Sequence, residues 1–70
     1  MSEFVLLPWA GKLIRKDAIV SAEIVKTDTW SYGIKLTTME EWEEESTTYP
    51  FRHKHTAVKM LEDLHERLNL

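Results

Sequence analysis

The chain has no cysteine, only two glycines and only two prolines in its 70 residues. Without cysteine it has no disulfide staple, no thiolate metal ligand and no thiol nucleophile. Its glycines stand far apart, at Gly11 and Gly33, which excludes a glycine-rich phosphate loop. The apolar stretch that opens at Phe4 is far shorter than the roughly 20 residues a helix needs to cross a bilayer. No basic segment precedes it, so no secretory signal is indicated, and the cytoplasm is the expected location. An excess of positive charge is lacking as well. The net charge is -3, and the acidity is concentrated in residues 41–50, which carry four glutamates and no cation. Such a balance provides no electrostatic footprint for general nucleic-acid or anionic-membrane binding.

What the chain does have is a strong helical period near its end. In Thr56–Leu68, Ala57, Leu61, Leu64 and Leu68 recur at spacings of four, three and four, the mark of a helix with one buried face. A single helix of this length is marginal in water, so the rest of the chain must cover that face. The rest reads as extended. Phe4–Leu7 and Lys12–Arg15 are short strands joined by a turn at Trp9–Lys12, with Pro8 ending the first. Arg15–Asp17 is a charged turn, and Ala18–Lys26 is a strand with Val20, Ala22 and Ile24 on its apolar side.

Thr27–Thr29 is the expected hairpin connection, Asp28 capping its own turn. Trp30, Tyr32, Ile34 and Leu36 then form one period-two face, with Gly33 marking a bulge or a close backbone approach. Thr38–Glu41 turns the chain again, a single helical turn with Thr38 and Glu41 as a capping box being the rival reading. A last strand from Trp42 to Tyr49 ends at Pro50, and Thr56 or His53 caps the helix. Met1, Ser2 and Glu3 read as a frayed tip, and Asn69 and Leu70 as the end of the helix. There is no linker or internal repeat. The expected architecture is one α+β domain over residues 1–70, a small antiparallel sheet of four or five strands with one C-terminal helix packed on one face.

The order of these elements resembles small bacterial one-helix sheet proteins, including the FlbD-like swarming-motility family, on Gly11-Lys12, Asp17 with Ile19, and Asp28-Thr29. All of these are turn residues, and no site residue is carried over from that family.

Chemistry-bearing groups are few. His53, His55 and His65 are the imidazoles that could take Zn²⁺ or Ni²⁺, but His53-Lys54-His55 alone falls short of a full ligand set and reads as a polar connection, so neither metal nor cofactor is expected. Paired glutamates suggest acid–base catalysis, yet a thin two-layer domain has little room for the pocket that such chemistry needs. No enzyme is expected. The function that fits best is a protein–protein interaction module, an accessory subunit or inhibitor, with self-association as a homodimer as one form of it. Trp9, Trp42 and Tyr49 are its expected aromatic anchors, and Glu43, Glu44 and Glu45 its acidic rim. The alternative is single-stranded nucleic-acid binding, with Trp30 and Tyr32 as stacking platforms and Lys12, Lys16, Lys26 and Lys35 as the positive groove.

Overall fold

A computed structural model describes residues 3–69. Met1 and Ser2 of the expected frayed tip, and the end at Leu70, lie outside the described residues. Glu3 is not frayed, since its carbonyl accepts the Lys16 N–H at 2.9 Å. Five strands and one long helix follow in order: β1 (Phe4–Leu7), β2 (Lys12–Arg15), a 3-10 turn over Lys16–Ala18, β3 (Ile19–Asp28), β4 (Ser31–Glu40), β5 (Glu43–Phe51) and α1 (Lys54–Leu68). All pairing is antiparallel, and the strands divide into a β1–β2 hairpin and a three-stranded sheet in the order β3-β4-β5. None of the described helices is long and apolar enough to cross a membrane.

Alternation along β4 sets the layers. Ile34 and Leu36 are buried and pair with Ile24 and Ala22 of β3 and with Tyr49 and Thr47 of β5, so these rows share the face that meets the helix. The β1–β2 hairpin shares in covering it, since Val5 and Leu7 join Leu36 and Leu64 in the core. Lys35, Thr37 and Met39 lie on the opposite face, where the Thr37 and Ser46 hydroxyls are hydrogen-bonded at 3.0 Å.

The turns differ from expectation. β3 runs on to Asp28, whose Oδ1 accepts the Thr29 N–H at 2.7 Å, and a register shift between Lys26 and Asp28 absorbs the extra residue. Trp30 therefore sits in the loop and leaves the row of Tyr32, Ile34 and Leu36. A second shift, between Ile19 and Ser21, frees Val20 from the buried row and leaves it exposed.

At the far end Thr38 and Met39 are strand, and neither the turn at Thr38–Glu41 nor the rival helical turn forms. Pairing of Thr38 with Ile19 on one side and Glu45 on the other outweighs a local cap. The chain reverses instead at Glu41 and Trp42, so Trp42 lies outside the last strand. β5 continues through Pro50 to Phe51, which an edge strand allows because a missing amide donor need not break an internal ladder.

The helix begins two residues before the expected Thr56. Its N-cap is His53, which makes no side-chain bond to the helix, and Ala57 N–H donates to the His53 carbonyl at 3.2 Å. The first turn has no acidic residue and opens on a lysine, opposite to the preference of a helix dipole. The other end is better satisfied: Asn69 Nδ2 donates to the His65 carbonyl at 2.8 Å, and Arg67 Nε to Asp63 Oδ2 at 3.0 Å. His53→Asp should therefore stabilise the fold by about 1 kcal/mol, raising the melting temperature by about 4–8 °C; an unchanged thermal melt would show that the N-terminus is already satisfied.

Candidate functional site

Among the described residues the most exposed large apolar side chain is Trp42, at 95%. Its position follows from the register. Glu40 pairs with Glu43, leaving Glu41 and Trp42 as a two-residue hairpin loop at φ 49° and 73°. A loop of this length with both residues at positive φ matches the twist of the flanking strands. It is normally built from Asn and Gly, and a residue with a Cβ in this region is strained by about 1–2 kcal/mol. An indole held at such a position, without burial to offset the strain, is the least expected feature of the fold.

Around it the carboxylates divide by alternation. Glu40, Glu43 and Glu45 lie on the face that looks toward the helix and β2, with Glu40 and Glu43 directly opposite each other. Glu44 lies on the outer face beside Met39. Like charges directly across a ladder repel, so this tip is a locally unfavourable concentration of negative charge that a basic surface would relieve.

The other expected anchors are elsewhere. Trp9 is half-buried and packs edge-on against Tyr49 at 5.7 Å and Phe51 at 6.2 Å between ring centroids. This cluster closes the far end of the core, and Trp9 Nε1 is buried without an acceptor from the protein. Tyr49 is seven residues from Trp42 along the hairpin, a separation of about 20 Å. Trp42, Glu43, Glu44 and Glu45 thus lie at one end of the sheet, with Glu44 on the face opposite Glu43 and Glu45, while Trp9 and Tyr49 pack together elsewhere.

The alternative nucleic-acid set is dispersed. Lys35 lies on the outer face, paired with Glu23, whereas Lys26 pairs with Tyr32 on the helix-side face. Lys12 is on β2 and Lys16 in the 3-10 turn. The Tyr32 ring has the Lys54 ammonium 6.0 Å from its centroid, and Trp30, 84% exposed, stands at the opposite tip of the sheet from Trp42.

The His53 and His55 rings stack at 5.3 Å, while His65 lies ten residues further along α1, about 15 Å away. Among the described residues no group of three or more His, Asp or Glu side chains is placed to hold a metal ion.

Two concave features had no signal in the sequence, because both depend on strand order. One is an apolar groove between α1 and β3, bordered by Ile19, Val20, Leu61 and Leu68. The other is a cleft between β2 and the β4–β5 hairpin. No protein-family model, curated protein or solved structure matches the chain. The likeness to the swarming-motility family therefore stands on turn residues alone and says nothing of function.

Proposed function

We propose that this chain is a protein–protein interaction module that docks the β4–β5 hairpin tip onto a basic protein surface, serving as an accessory subunit or inhibitor of that partner. The observation that carries this reading is Trp42: an almost fully exposed indole in a backbone conformation that costs stability and favours glycine. Strained, exposed positions of this kind are found where function requires the side chain. Aromatic anchors ringed by charge are what interfaces use for affinity and steering. A basic partner fits better than a second copy of the tip, since two glutamate rims would repel each other.

The reading makes opposed demands on one variant. Trp42→Gly should raise stability by about 1 kcal/mol in a urea melt, because glycine relaxes the positive φ. It should also abolish the salt-sensitive capture of a cationic protein by the immobilised chain. A partner retained equally by wild type and Trp42→Gly, or a variant that loses both stability and fold, overturns the proposal. Sedimentation across a concentration series tests self-association separately; a dimer that Trp42→Gly dissociates would assign the tip to a homodimer instead.

A further inference from the structure

We propose that the cleft between β2 and the β4–β5 hairpin binds a short extended peptide with free ends, laid antiparallel along β2. The cleft encloses about 450 Å³, within the range of roughly 300–1,000 Å³ typical of small-ligand sites. Its two walls are of different kinds. On β2, four consecutive residues line it: Lys12, Leu13, Ile14 and Arg15. Side chains of a strand alternate between faces, so a wall of consecutive residues is a strand edge, where backbone donors and acceptors point. Among the described residues β2 pairs with β1 alone, and this second edge is unpaired. The facing wall takes Leu36, Thr38 and Glu40 from β4 and Glu45, Thr47 and Tyr49 from β5, every second residue, which is a sheet face. An open edge beside a sheet face is the setting in which an extended segment adds by main-chain hydrogen bonds and lays alternate side chains against the protein.

Charge selects the ends and the direction. Lys12 stands at the end nearest the turn that carries Trp9. Glu40 and Glu45 stand toward the Arg15 end, where the Arg15 guanidinium is engaged by Asp17 at 2.9 Å. Among the described residues no ion pair crosses the cleft from Lys12 or Arg15 to Glu40 or Glu45. A free ammonium would therefore meet Glu40 and Glu45, and a free carboxylate Lys12. Since β2 runs from Lys12 to Arg15, the peptide runs the other way, in the antiparallel ladder that is the more stable per residue. Four residues of strand span about 13 Å, the length of three or four extended residues. Leu13 and Phe4 are exposed and Ile14 and Tyr49 half-buried, so apolar peptide side chains have partners at the rim and the floor. Trp42 does not line the cleft, which shares Glu45 with the acidic rim of the hairpin tip; Trp42→Gly therefore removes the tip's anchor and leaves this site intact.

The test is an amide-resolved NMR titration of the whole chain with Leu-Val-Leu, and with the same tripeptide acetylated at one end and amidated at the other. Saturable shifts at Lys12–Arg15 and at Thr47–Tyr49 are expected with the free peptide, with affinity falling roughly five- to tenfold on capping, as two exposed charge contacts would give. Glu45→Gln, at an exposed position that leaves the core untouched, should weaken the free peptide about two- to fivefold and leave the capped one unchanged. Absence of saturable shifts, shifts confined to other surfaces, or equal affinity for free and capped peptide would each overturn the proposal.

Discussion

Leu7→Ala should be the most damaging single change to this fold, removing about 3–5 kcal/mol in a urea melt followed by tryptophan fluorescence or circular dichroism. Leu7 is fully buried and shares the core with Val5, Leu36 and Leu64, so its truncation leaves a cavity bounded by three separate elements with little freedom to collapse. A chain of 70 residues has on the order of 4–10 kcal/mol of total stability. The loss is thus a large fraction of the whole, and the variant should be substantially unfolded at physiological temperature. Leu13→Ala is the control. Leu13 lies in the adjoining strand but is 65% exposed, and its truncation should change stability by no more than about 0.5 kcal/mol. Equal losses at the two positions would mean that the β1–β2 hairpin does not pack as described.

Gly33→Ala should follow, at about 1–3 kcal/mol, against the usual gain of about 0.5–1 kcal/mol when alanine replaces a strand glycine. The sign is decided by space. A Cβ built on Gly33 would lie 2.9 Å from Thr48 Cγ2, 3.0 Å from Thr27 Cγ2 and 3.0 Å from the Tyr49 carbonyl oxygen. The threonine methyls can rotate away, but the carbonyl belongs to the backbone of the paired strand and can move only by distorting the ladder. Crowding from Thr27 arises because the register shift between Lys26 and Asp28 brings that residue over the glycine. Gly11→Ala offers a contrast: nothing lies within 4 Å of its Cβ, and any loss there comes from its φ of 59°. A urea melt in which Gly33→Ala is as stable as the parent would show that the sheet yields more readily than its packing suggests.

The elements were largely legible in the sequence and their junctions were not. Ile34 and Leu36 against Lys35 and Thr37 announce β4, and the spacing of Ala57, Leu61, Leu64 and Leu68 announces α1. Trp30 is in phase with the apolar row and carries no turn signal, so nothing local separates it from the strand; the register shift that expels it is a property of the paired strands. Glu41 and Trp42 are poor formers of a positive-φ loop, and only the continued pairing of Thr38 and Met39 with β5 pushes the reversal onto them. The acidic surface with Trp42 was readable because it is contiguous in sequence. That Trp9 and Tyr49 turn inward together was not, since it depends on where the β1–β2 hairpin lands. The open edge of β2 was hidden for the same reason.

The division of the strands into two sheets also bears on how the chain is made. Leu7 is translated before Ile34 and Leu36, and Leu64 only when α1 is nearly finished. Until then the apolar face of the three-stranded sheet has at most the small β1–β2 hairpin over it. The nascent chain therefore passes through a stage with exposed core positions, when the cell's holding factors have most to grip. The glutamates of the β4–β5 tip, already translated by that point, supply like-charge repulsion between neighbouring nascent chains during that interval.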